Sequence, residues 1–153
     1  MREIRYNQDG DKMQYRRKMG IDYGDKRIGI AMTDLLCMIA SAYEVYQNED
    51  MDKAVEYISK LALSSSVDEI IVGLPLNMEG EENERTEITR VFGEKLAKKS
   101  GVPVAFEDER LSSVEAEDIL REFESDWKKR KKLLDMYSAQ VILQSYLDSN
   151  KRK

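Results

Sequence analysis

The sequence contains no histidine. That absence removes the Ser-His and Cys-His nucleophile systems and every zinc site that uses imidazole. Cysteine occurs once, as Cys37, so no intrachain disulfide forms and no thiolate cluster can hold a metal. No stretch approaches the roughly 18 consecutive apolar residues of a spanning helix. Met1–Lys18 is charged and lacks the apolar centre of a secretory signal. The expectation is therefore a cytoplasmic protein with no membrane partner. No repeat or low-complexity tract is present. Any catalysis falls to carboxylates, lysines, arginines, hydroxyls or a bound ion.

What remains is a charged, globular composition. The 153 residues are 41% hydrophobic and 36% charged, which suits one domain with a real core. The 25 basic and 30 acidic residues leave a net charge of −5. Taken alone, that balance argues against a general polyanion binder.

Residues 1–18 read as a polar extension, flexible and outside the domain, which spans 19–149. Met19–Tyr23 and Arg27–Met32 form a hairpin joined by Gly24-Asp25-Lys26. A third strand falls near Tyr43–Tyr46. Asp50 caps a helix whose Met51, Ala54, Val55, Ile58, Leu61 and Ala62 follow the helical period. Glu69–Val72 has the continuous apolar character of an interior strand and breaks at Gly73. An acidic loop follows, then a helix with Ile88, Val91, Phe92 and Leu96 on one face. Pro103–Phe106 is the last strand. Ser112 and Glu115 have the spacing of a capping box for a helix burying Ala116, Ile119, Leu120 and Phe123. The final helix runs from Leu133 to Leu147, with a stripe of Leu133, Leu134, Tyr137, Val141 and Leu147. This order implies a mixed sheet flanked by helices.

Acids at strand ends carry the chemical signal. Asp22 lies inside the first strand, where a carboxylate needs compensation by an ion or by hydrogen bonds. Asp108 and Glu109 close the last strand, at the carboxyl edge where α/β sheets gather ligands. Arg110 follows and can pair with either acid. Asp135 lies one turn into the final helix and shares a face with Ala139, Ile142 and Tyr146. Together these hard oxygen ligands suit Mg²⁺ or Mn²⁺ and two-metal phosphodiester hydrolysis. Gly24 and Gly29 keep the hairpin slim, so that a phosphate could reach the backbone near Lys26 and Arg27. Asn77 sits at the exit of a central strand. Lys128, Lys129 and Arg130 open a basic run to Lys132.

Four ordered blocks resemble one family. They are Met19-Gly-Ile-Asp-Tyr-Gly-Asp-Lys-Arg-Ile-Gly-Ile-Ala31, Val72-Gly-Leu-Pro-Leu-Asn-Met-Glu-Gly80, Asp108-Glu-Arg-Leu-Ser-Ser-Val-Glu-Ala116, and Asp135 with Val141-Ile-Leu-Gln-Ser-Tyr-Leu-Asp148. The family is YqgF, also called RuvX, of RNase H-like Holliday junction resolvases and pre-16S rRNA nucleases. The resemblance implies an α/β, RNase H-like fold, a five-stranded mixed sheet with helices on both faces. It implies catalytic and metal-binding roles for Asp22, Asp108 or Glu109, and Asp135. Adjacent strand residues point to opposite sides, so Asp108 and Glu109 do not bind one ion alike. The chain departs from the family in residues 1–18, in the missing glycine of Asp34–Ile39, and at Tyr137-Ser138 where small residues are usual.

The implied activity is a metal-dependent endonuclease processing the 5′ end of pre-16S rRNA, as a monomer or homodimer. Its nucleic-acid contacts are Lys26, Arg27, Asn77, Arg110, Lys128, Lys129 and Arg130. The alternatives are a resolvase of branched DNA and a non-catalytic RNA-binding ribosome-assembly factor. A phosphotransferase of the actin–hexokinase type needs two domains to close over a nucleotide, and this chain supplies one.

Overall fold

Alternation and helical periodicity give five long strands and four helices, seen in a computed structural model that describes residues 5–6, 12–13 and 16–151. Arg5–Tyr6 (β1) and Lys12–Met13 (β2) form a short antiparallel ribbon. The expected extension otherwise falls outside the described residues, except at its end. There Arg17 and Lys18 already belong to β3 (Arg17–Tyr23) and pair with the strand around Glu69. β4 (Arg27–Thr33) returns antiparallel after the expected three-residue turn, and β5 (Ala40–Gln47) completes a meander. α1 (Met51–Ser64) leads to β6 (Val67–Leu74), which lies parallel to β3. α2 (Glu84–Ser100) leads to β7 (Val104–Asp108), parallel to β6. α3 (Ser112–Phe123) and α4 (Trp127–Lys151) close the chain. The sheet order is β5-β4-β3-β6-β7, a five-stranded mixed sheet.

Strand alternation sorts the core into two layers. Met19, Ile21, Tyr23, Ile28 and Ile30 face α1 and α2, against Val55, Ile58, Phe92 and Leu96. On the other face Ala31, Ala40 and Ile71 meet Ala139, Ile142, Leu143 and Leu147 of α4. The buried stripe of α4 is therefore not the one expected: Leu133, Leu134, Tyr137 and Val141 are only half-buried. Small residues on the sheet let the helix sit deeper on its Ala139 side. The helix also starts earlier, at Trp127, which puts Asp135 more than two turns inside it. Gln140 and Gln144 of α4 accept hydrogen bonds from the backbone N–H groups of Ala42 and Ala40, at 2.9 and 3.0 Å, which covers part of the edge strand β5.

Three local expectations need correction. Ser112 is not a cap: Leu111 precedes the helix in the left-handed region, at φ 70°, without a side-chain capping bond. The capping box is formed instead by Asn83 and Thr86 at the start of α2, where Asn83 Oδ1 accepts from Thr86 N and Thr86 Oγ1 from Asn83 N. Val91 and Phe123 are exposed rather than buried; Phe123 packs on Tyr137 with ring centroids 5.6 Å apart. The glycine missing from Asp34–Ile39 has a structural consequence as well. Cys37 takes φ 55°, a region a glycine enters without strain. Asp34 Oδ1 holds this turn by accepting from Met38 N and Ile39 N, at 2.8 and 2.9 Å.

Gly29 does not open the hairpin to a phosphate. A Cβ there would lie 1.8 Å from the backbone oxygen of Asp135 and 2.8 Å from Met136 N, so α4 occupies that face. Gly29→Ala is therefore expected to destabilise the fold by about 1–3 kcal/mol or more, read by urea unfolding. An unchanged midpoint would show that α4 does not pack against β4 at this point.

Candidate active site

Because Met19, Ile21 and Tyr23 belong to the core under α1 and α2, the alternate residue Asp22 is turned toward α4. It pairs across the hairpin with Gly29, the position against which the backbone of Asp135 rests. Glu109 arrives from the other side. Its backbone N–H donates to Leu74 O at 3.2 Å, which carries the β6–β7 pairing one residue past the strand end. Gly73 leaves room for it: a Cβ there would stand 2.9 Å from Glu109 Oε2. The turn that follows is tight, with Ser112 N donating to Glu109 O at 3.0 Å and Leu111 at positive φ. Strain of this kind concentrates at functional sites.

The carboxyl groups of Asp22 and Glu109 stand within reach of each other. Burial, the negative charge of Glu109, the bond to it and the charge of Asp135 all push Asp22 well above the usual carboxylate range, with Arg85 opposing. Glu109 is also raised, first by burial; its bond with Asp22 and the charge of Arg85 pull the other way.

Asp108 is in a different environment. It is exposed, and Arg110 grips it through Nη2 at 2.7 Å and Nε at 2.8 Å. That bond holds its carboxyl below the usual range. Alternation thus separates the two neighbours, with Glu109 turned inward to Asp22 and Asp108 turned outward. Asp135 lies near enough to raise Asp22, yet its Oδ2 is 2.9 Å from Arg27 Nε. Among the described residues no three acids or thiols already stand in position to hold a metal ion; Asp22 and Glu109 form a pair, and Asp135 is turned to Arg27.

The expected nucleic-acid contacts fall into two groups. Lys26, Lys128 and Lys129 are exposed, and Arg27 lines a groove while holding Asp135. The others have internal partners. Asn77 Oδ1 accepts from Glu79 N and Glu81 N, at 3.1 and 2.8 Å, and so shapes its own loop. Arg110 Nη1 also reaches Met78 O at 3.1 Å. Arg130 clasps α3 to α4 by donating to Glu117 Oε1 and to the carbonyls of Glu124 and Ser125.

Sequence reasoning missed Arg85, whose Nη1 lies 2.9 Å from Asp25 Oδ2 and whose charge reaches both buried acids. It also missed Trp127, which lines the groove with Arg27, Val45, Gln47 and, from the basic run already noted, Lys128, Lys131 and Lys132. Nothing in the sequence marks Arg85. For Trp127 a signal existed: an aromatic residue abutting a run of cations.

Comparison with known proteins bears on the chain as a whole. The sequence profile of RuvX, described as Holliday junction resolvase, matches residues 16–149. A protein of Halothermothrix orenii named "Putative pre-16S rRNA nuclease" is 46% identical over 132 residues, covering 86% of this chain and 94% of its own. A Streptococcus gordonii protein of the same name is 40% identical over 137 residues, covering 88% and 99%. Among solved structures, Thermus thermophilus RuvC in complex with a Holliday junction substrate superposes with a TM-score of 0.60 at 14% identity, over 88% of this chain and 96% of that one. The fowlpox virus Holliday junction resolvase gives 0.56 at 15%, over 88% and 99%. At such identities the likeness is one of fold, and the fold is the RNase H-like one expected.

The buried acid pair makes a prediction about pH. Both groups are raised above their unfolded values near 4, so their contribution to stability is complete below that pH and is lost as pH rises through the folded values. Asp22→Asn removes the strain. Without added metal it should stabilise the protein at pH 7 by about 1 kcal/mol, or about 2–4 °C in Tm, with the gain shrinking toward pH 4. Thermal unfolding across that range checks it; a lower Tm at pH 7 would contradict the reading.

Proposed function

Since the chain belongs to the RuvX family, we propose that it is a nuclease hydrolysing a phosphodiester bond at the 5′ end of pre-16S rRNA, with Asp22, Glu109 and Asp135 as its acidic centre. The observation that carries this reading is the close approach of the Asp22 and Glu109 carboxyl groups at the carboxyl edge of the sheet. Two acids pressed together in a desolvated place are unfavourable alone, and a dication relieves them. The donor set is hard oxygen throughout, which fits Mg²⁺ or Mn²⁺. Asp22 and Glu109 would hold the ion, and Asp135 would join them on leaving Arg27. A bound divalent cation supplies Lewis-acid activation of the phosphate and of the attacking water.

The remaining steps belong to the chain. Asp22 would serve the ion as a carboxylate ligand. Arg27 pairs with Asp135 and would be free to meet a phosphate if Asp135 turned inward. Arg85 offsets the summed negative charge from the α2 side. Asp108 and Arg110 brace the turn beside Glu109 rather than bind the ion. Such a role belongs in the cytoplasm, and among the described residues no helix is long and apolar enough to cross a membrane.

The test is Mn²⁺-dependent cleavage of a structured pre-16S 5′ leader RNA, with four-way junction DNA as the comparison substrate. Asp22→Asn and Glu109→Gln should each lower the rate by about 100-fold or more, a barrier increase of about 3 kcal/mol. Asp108→Asn should lower it by only about tenfold, the low end for a residue that braces a ligand. If Asp108→Asn is the more damaging change, the assignment of Glu109 is wrong. Undiminished RNA cleavage by Asp22→Asn sinks the whole centre.

A further inference from the structure

The surface beside the acidic centre holds a groove of about 540 Å³ lined by Arg27, Val45, Gln47, Trp127, Lys128, Lys131 and Lys132. Four of these side chains are cations and none is an acid. That is unusual on a chain whose net charge is −5. Of its other exposed cations, Lys53, Lys60, Arg85, Lys95, Arg110 and Arg121 have carboxylate partners, and Lys26, Lys98, Lys99 and Lys129, unpaired among the described residues, do not line this groove. Lys128, Lys131 and Lys132 have no such partner among the described residues, so their charge is available to a ligand.

Trp127 adds a second, independent feature. It is the only tryptophan of the chain and is 61% exposed, although an indole of this size is normally well buried. A wide aromatic face among free lysines is the combination that holds unpaired nucleic acid, with bases stacking on the ring and phosphates meeting the cations. A duplex keeps its bases stacked inside and offers the ring nothing. Position supports the same occupant. Trp127 and Asp135 lie on one helix, about 12 Å apart along its axis, and Arg27 belongs to both the groove and the acidic centre. A strand in the groove thus leads directly to that centre.

We propose that this groove is a subsite for an unpaired stretch of the RNA substrate, with a base stacked on Trp127 and the flanking phosphates held by Lys128, Lys131 and Lys132. The identity of the strand rests on the nuclease reading above; the stacking does not. Gln47, at the groove edge, offers an amide for base or ribose hydroxyl.

Fluorescence of Trp127 reports on this groove alone. A short single-stranded oligoadenylate RNA, added without divalent cation, should quench it, and a fully paired RNA duplex should not. By anisotropy of the labelled oligoadenylate, Trp127→Ala should bind about tenfold more weakly, while Trp127→Phe keeps most of the affinity. Replacing Lys128, Lys131 and Lys132 together by Gln should lower the salt slope of binding by roughly 2. Absent quenching, equal quenching by the duplex, unchanged binding by Trp127→Ala, or displacement of the RNA by oligoglutamate at equal charge would each overturn the subsite. These readings involve no cleavage. Quenching by a protein that cuts no RNA would keep the subsite and reject the nuclease reading, whereas cleavage without quenching would do the reverse.

Discussion

The contact on which the site depends is the backbone-to-backbone approach of α4 to β4 at Gly29. No side chain fits between the strand and the oxygen of Asp135. The approach fixes the depth at which the last helix lies on the sheet. It buries Ala139, Ile142 and Leu143 and sets Asp135 above the strand pair that carries Asp22. On the far side Gly73 plays the matching part, giving Glu109 room to turn inward. Missing Cβ atoms thus bring together three acids from three separate parts of the chain.

That convergence opposes stability. A folded protein gains nothing from holding two carboxyls against each other in a desolvated place, and both are raised above the usual carboxylate range. The surroundings limit the damage. Arg27 takes up Asp135, Arg85 lends positive charge, and Arg110 pins Asp108 outward so that only one member of the Asp108-Glu109 pair enters. A conflict accepted at one place, in a chain that caps α1 and α2 and packs a consistent core, is the pattern expected of a functional site.

The fold was largely legible in the sequence because alternation and helical period are local. The three-residue hairpin turn, the cap at Asp50 and the interior strand around Ile70 all follow from neighbouring residues. What stayed hidden depends on distant parts of the chain. The buried face of α4 is set by the small residues it meets on the sheet, so its own apolar pattern misled. The start of α3 is a strained turn at Leu111, which no propensity favours, and the Ser112 capping pattern was a coincidence of spacing. At the site, Asp22, Glu109 and Asp135 were visible as acids in suspicious places. The choice of Glu109 over Asp108 needed the turn geometry, and Arg85 and the role of Arg27 needed the folded chain. Arg130, expected as a phosphate contact within a basic run, also clasps two helices together, which only the folded chain shows.

The central claim is that Asp22 and Glu109 form the heart of a divalent cation site. A crystal structure of the protein soaked in Mn²⁺, with the ion located by its anomalous scattering, tests it most directly. The account predicts a peak within coordination distance of Asp22 and Glu109, with Asp135 released from Arg27 and turned toward it. A peak at Asp108, or no peak near Asp22 at a saturating concentration, would contradict it.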